Sequence, residues 1–91
     1  MKVKTIFWGR FKNLFGADKK EVELESGASL RDLTQALSRT KECYQTIFDE
    51  SGRRRPGVEI MRKGREVQLV NNERYKLHDG DIVEIYPLIS V

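Results

Sequence analysis

The sequence is poor in the residues that carry most catalytic and metal chemistry. Its 91 residues hold one histidine, His78, and one cysteine, Cys43. A metal site needs several convergent ligands, and a thiolate nucleophile needs an activating base, so both residues read as structural or incidental. A single cysteine excludes an internal disulfide, which suits a reducing cytoplasm, the compartment expected here. No apolar run approaches the ~20 residues of a membrane-spanning helix, and a membrane is not expected as a partner. Met1 to Trp8 lacks the small-residue cleavage site of a signal peptide and reads better as a strand. Charge of one sign is not in large excess: 17 basic residues stand against 14 acidic ones, a net +3. Nucleic-acid binding needs several clustered phosphate contacts, so the densest basic run, Arg53-Arg54-Arg55, reads as a solvated loop in preference to an RNA site. Gly64 sits in Lys-Gly-Arg without the Gly-rich run and Lys-Ser/Thr of a phosphate loop. Asp79 and Asp81 bracket a glycine and read as turn residues rather than paired catalytic carboxylates. No cofactor, metal or catalytic residue is expected.

What is present is a set of short alternating segments. The length fits one domain, residues 1–91, with one modest core. Lys2 to Trp8 alternates as a strand, with Val3, Thr5 and Phe7 on one side and Lys4, Ile6 and Trp8 on the other. Arg10 to Gly16 carries apolar residues at spacings of three and four, enough for one helical turn, and Gly16 is the expected stop. Lys20 to Glu25 alternates again, with Val22 and Leu24 inward. Ser29 is a good N-cap, and Asp32 makes a weaker version of the capping box. Leu30, Leu33, Ala36 and Leu37 then form one apolar stripe at helical spacing. Tyr44, Ile47 and Phe48 predict a further helical turn over the core. Asp49-Glu50-Ser51-Gly52 predicts a turn and Arg53 to Gly57 an exposed loop. Val58 to Lys63, Glu66 to Val70 and Ile82 to Tyr86 predict three more strands, with Val83 and Ile85 inward. Pro87 cannot donate a ladder hydrogen bond, so it belongs at the end of the last strand.

Strands flanking one main helix predict an α+β fold. The β-grasp (ubiquitin-like) arrangement satisfies this order. It places the first and last strands parallel in the middle of a mixed sheet, with the helix on one face. Trp8 and Tyr86 then lie on the face away from the helix and share a patch with Ile6. Exposed aromatic patches mark contact surfaces. After Pro87, the segment Leu88-Ile89-Ser90-Val91 has high β-propensity and suits strand addition to a partner. The candidate partner-binding residues are therefore Ile6, Trp8, Tyr86, Pro87, Leu88, Ile89, Ser90 and Val91, and the exposed aromatics leave a homodimer open.

The series Phe7-Trp8-Gly9-Arg10-Phe11, Val22-Glu23-Leu24, Leu30-Arg31-Asp32-Leu33, Phe48-Asp49-Glu50-Ser51-Gly52, Arg55-Pro56-Gly57-Val58-Glu59-Ile60 and Leu77, Asp79-Gly80-Asp81, Val83, Pro87 resembles the ubiquitin-like sulfur carriers. It is similar in particular to the small subunit of molybdopterin synthase, the MoaD/ThiS group. The resemblance covers nearly all of the chain. It implies a non-catalytic carrier or synthase subunit acting in molybdenum or tungsten cofactor biosynthesis. It also implies two protein partners, an ATP-dependent activating enzyme and the synthase large subunit. In the family a terminal Gly-Gly carboxylate becomes a thiocarboxylate. Here Ser90 fits the pattern, while Val91 stands at a glycine position. The alternative expectation is a ubiquitin-like interaction module that has lost the sulfur chemistry.

Overall fold

A computed structural model describes residues 1–64 and 66–88. Five strands and three helices alternate along it: β1 (Lys2–Phe7), α1 (Phe11–Phe15), β2 (Lys19–Glu23), α2 (Leu30–Leu37), α3 (Lys41–Ile47), β3 (Val58–Lys63), β4 (Val67–Val70) and β5 (Ile82–Pro87). They form one mixed sheet in the order β2-β1-β5-β3-β4. β1 and β5 run parallel at its centre, Lys4 beside Ile82 and Phe7 beside Ile85. This is the expected β-grasp α+β architecture.

The alternation in β1 decides which face is covered. Val3, Thr5 and Phe7 are buried, while Lys4 and Ile6 lie half-buried on the opposite face. Phe7 stacks on Phe15 at a centroid distance of 4.6 Å, which seats α1 under the sheet. Gly16 ends α1 at φ 75°, a left-handed conformation that glycine adopts without a side-chain clash. Leu30, Leu33 and Leu37 of α2 join Val3, Phe7, Ile60, Val83 and Ile85 in one core.

The capping box of α2 is complete. Ser29 Oγ accepts from the Asp32 N–H, and Asp32 Oδ2 accepts from the Ser29 N–H at 2.8 Å. These bonds, the Ser29 N–H first, hold the Asp32 carboxyl below its ordinary 3.8. The stripe itself differs from expectation at two positions. Ala36 is exposed and Thr34 is buried in its place. Thr34 follows Leu30 by four residues and lies nearer the centre of the leucine stripe, at about 100° per residue. Its hydroxyl donates to the Leu30 carbonyl at 2.8 Å, so burial leaves no unmet polar group. The turn predicted at Tyr44 to Phe48 is a seven-residue helix capped by the Thr40 hydroxyl.

The arginine run is not a free basic loop. Arg54 Nη1 donates to the Val58 carbonyl at 2.5 Å, and Arg55 Nε donates to the Gln45 carbonyl. Arg53 is exposed, whereas Arg54 and Arg55 are half-buried. One guanidinium thus ties this loop to the start of β3 and the other ties it to α3.

Thr5 is fully buried, and its hydroxyl has no hydrogen-bond partner among the described residues. A buried hydroxyl without a partner costs free energy that a methyl group of the same shape does not. Thr5→Val is expected to raise stability by about 1 kcal/mol, read as a higher denaturant midpoint at unchanged slope. A lower midpoint would show that the hydroxyl is bonded after all.

Candidate functional site: the bare sheet face and the tail exit

All three helices contribute to the core on one side of the sheet, leaving the other face bare. On it β1, β5 and β3 present Ile6, Glu84 and Met61 in one row. Trp8 follows β1 and is 43% exposed. Its ring stacks on Tyr86 at 5.7 Å with an interplanar angle of 8°. The structure therefore brings Ile6, Trp8 and Tyr86 together, with the Lys12 ammonium 5.9 Å from the indole centroid.

Sequence reasoning missed what fixes this pair. Glu84 points to the bare face, as Tyr86 does, yet it is only 3% exposed. Trp8 Nε1–H donates to Glu84 Oε1 at 2.9 Å, and Lys63 Nζ forms an ion pair with Glu84 Oε2. Burial works to raise the Glu84 pKa. The bonds from Lys63, Trp8 and the Tyr86 hydroxyl outweigh it and hold the carboxyl below its ordinary 4.5. Glu84 in return raises the Lys63 pKa above 10.5, and burial followed by Glu84 raises Tyr86 above 10.0. A buried carboxylate thus anchors the indole N–H while the ring stacks on Tyr86. The available signal was a charge within the apolar run Ile82 to Tyr86. Its partner, Lys63, becomes visible only once the β3–β5 register is known.

A pH dependence follows. The Glu84 pKa is lower in the folded chain than in the unfolded one, so near pH 4.5 the unfolded state binds more protons. Its stabilisation is present above that pH and is lost as pH falls through the folded value. Glu84→Gln is expected to cost about 1 kcal/mol at pH 7 and to flatten the acid limb of the stability profile. Urea midpoints of both proteins from neutral to acid pH check this; parallel profiles would exclude a role for the Glu84 charge.

The end of β5 lies beside the Trp8–Tyr86 pair, at the same end of the sheet. Pro87 is the last residue of β5, opposite Val58, as its missing N–H requires. The Leu88 N–H donates to the Gly57 carbonyl at 2.8 Å, and Arg10 Nη2 donates to that carbonyl at 3.3 Å. Gly9, at φ 56°, lies so close beneath Pro87 that a Cβ there would come within 2.6 Å of Pro87 Cγ. Leu88 is 40% exposed and leaves the core beside the aromatic pair. Ile89, Ser90 and Val91 lie outside the described residues. Of the predicted site, the structure assembles Ile6, Trp8, Tyr86, Pro87 and Leu88, and adds Gly9, Arg10, Gly57, Lys63 and Glu84.

Residues 6–90 match the ThiS family. The chain belongs to that family. The match spans the strand that carries Ile6, the aromatic pair and the tail exit, so the assembled face lies within the family's own boundaries. Among solved structures, this ThiS-family chain is similar to a Pyrococcus furiosus protein assigned as molybdopterin converting factor subunit 1. That likeness has 31% identity and a TM-score of 0.71, covering 98% of this chain and 99% of the other. Small archaeal modifier protein 3 of Haloferax volcanii is 23% identical over 90 residues, 99% of this chain and 98% of that protein. Small archaeal modifier protein 1 of the same organism shares the fold at a TM-score of 0.73, with 15% identity over 97% of this chain and 98% of its own. The chain is thus a member of the ubiquitin-like sulfur-carrier and modifier family. No helix among the described residues is long and apolar enough to cross a membrane.

Proposed function

We propose that the chain is a sulfur carrier of the molybdopterin-synthase type, acting in molybdenum or tungsten cofactor biosynthesis through its carboxyl-terminal tail. The observation that carries this reading is the placement of Pro87 and Leu88, from which the tail continues. The central strand β5 delivers Pro87 and Leu88 past the core, beside the Trp8–Tyr86 platform. The 31% identity to the Pyrococcus protein over almost the full chain supports the same pathway. The chain's own residues do no bond chemistry in this reading. Ile6, Trp8 and Tyr86 dock the partner, Glu84 and Lys63 keep the indole in place, and Gly9, Gly57 and Arg10 aim the tail. The partners are an ATP-dependent activating enzyme and a synthase large subunit in the cytoplasm. The activating enzyme adenylates a terminal glycyl carboxylate, sulfur displaces the adenylate, and the thiocarboxylate enters the synthase. The 91 residues contain Val91 where the family has glycine, so this reading rests on a Gly-Gly end to the native protein.

The likeness to the Haloferax modifier protein favours a second reading, a protein-interaction module or modifier that uses the aromatic face without donating sulfur. The test is the native full-length protein incubated with ATP, a sulfur source and the activating enzyme from the same organism. The carrier gains ~16 Da as carboxylate becomes thiocarboxylate. No gain, under conditions where a Gly-Gly control shows it, removes the carrier reading and leaves the module.

A further inference from the structure

The two edges of the sheet are built differently. β2, at one edge, carries Lys19, Lys20, Glu21 and Glu23. Charged side chains along an edge strand oppose pairing with another chain. β4, at the other edge, reads Val67-Gln68-Leu69-Val70, without a charge. Val67 and Leu69 are 61% and 67% exposed, more than any other large hydrophobic residue described. They pair with Lys63 and Met61 of β3, so both lie on the bare face. Beyond Val70 the chain is taken up by its own loop: the Asn71 carbonyl accepts from the Arg54 N–H at 2.9 Å, and Asn72 bridges Arg53. The open edge is therefore four residues long.

We propose that β4 is a self-association site, at which the strands of two copies of this chain pair antiparallel and join their sheets into one. The strand is complementary to itself. About a two-fold axis through Gln68 and perpendicular to the sheet, Val67 lies opposite the partner's Leu69, and Leu69 opposite the partner's Val67. Residues directly opposite in an antiparallel pair point to the same face. The exposed Val67 and Leu69 side chains of both copies therefore meet on one side, flanked by both Met61 residues, and no like charges oppose each other within the strand. This symmetric contact uses the same patch on both copies and closes on itself. Among the described residues the edges left are the charged β2 strands, so assembly stops at two.

A four-residue strand pair falls well short of the ~1,200 Å² that stable interfaces bury, so the dimer is weak and reversible. Sedimentation equilibrium on the 91-residue chain up to about 1 mM tests it. The wild-type mass is expected to rise toward twice the monomer with concentration, and amide shifts on dilution to centre on Val67–Val70. Leu69→Lys, at an exposed position, is expected to keep the fold by circular dichroism and to weaken association about tenfold or more. Trp8→Ala is expected to leave association unchanged, which separates this edge from the aromatic platform. A wild-type chain that stays monomeric throughout overturns the proposal and leaves β4 to a strand from a different protein. Association lost in Trp8→Ala and kept in Leu69→Lys overturns it as well, and places the contact on the aromatic face.

Discussion

Gly9→Ala is expected to destabilise the chain by about 2–5 kcal/mol. Two effects add. An alanine held at the φ of 56° that Gly9 adopts places its Cβ against its own carbonyl, which costs about 1–2 kcal/mol. The new Cβ would also lie 2.6 Å from Pro87 Cγ, and a proline ring has little freedom to retreat. Overpacking of that kind costs about 1–3 kcal/mol. The chain can relieve the clash by moving Pro87 outward. That movement breaks the bond between the Leu88 N–H and the Gly57 carbonyl. Gly9→Ala should therefore damage partner binding beyond its effect on folding. Its denaturant midpoint, and binding to the activating enzyme at a temperature where the variant remains folded, measure the two effects. A variant as stable as wild type would show that Gly9 and Pro87 are not in contact. Gly27→Ala is the control, because a Cβ there meets nothing within 4 Å although its φ of 86° is also positive.

The second large effect is expected at Asp81. This carboxylate is 5% exposed, and its Oδ2 accepts from the His78 N–H at 2.8 Å. Its Oδ1 lies 3.7 Å from Arg62 Nη1. Arg62 is also nearly enclosed; its Nε donates to the Tyr75 hydroxyl at 3.0 Å and its Nη2 to Gln68 Oε1 at 2.9 Å. Removing one partner of a buried pair leaves the other charge uncompensated. Asp81→Ala is expected to cost about 3 kcal/mol, and Asp81→Asn, which can still accept from the His78 N–H, about half of that. Replacing Arg62 and Asp81 together by apolar residues should cost less than Asp81→Ala, since neither charge is then stranded. Equal costs for the single and double variants would show that Arg62 and Asp81 act independently.

The parts of the fold set by local chemistry could be read from the residues. Ser29 and Asp32 marked the helix start, Gly16 the helix stop, and the alternation in β1 and β5 gave the inward face. The β-grasp order followed from the arrangement of elements, and the aromatic platform from the parity of Trp8 and Tyr86. What could not be read depends on register and on side-chain reach. The Lys63–Glu84 pair crosses between two different strands, and parity gives the face of Glu84 but neither its burial nor its partner. The arginine loop looked solvated because nothing in its spacing shows that Val58 and Gln45 offer carbonyls within reach. The closeness of Gly9 and Pro87 is likewise a meeting of distant segments.

The parallel pairing of β1 and β5 also bears on how the molecule answers to force. One strand begins beside the amino terminus and the other ends at the tail, so pulling the two ends apart loads their shared hydrogen bonds in shear, all at once. Such a clamp resists traction far better than a hairpin peeled rung by rung. A machine that hauls on the tail should stall at this seam, whereas one that grips an internal loop should not.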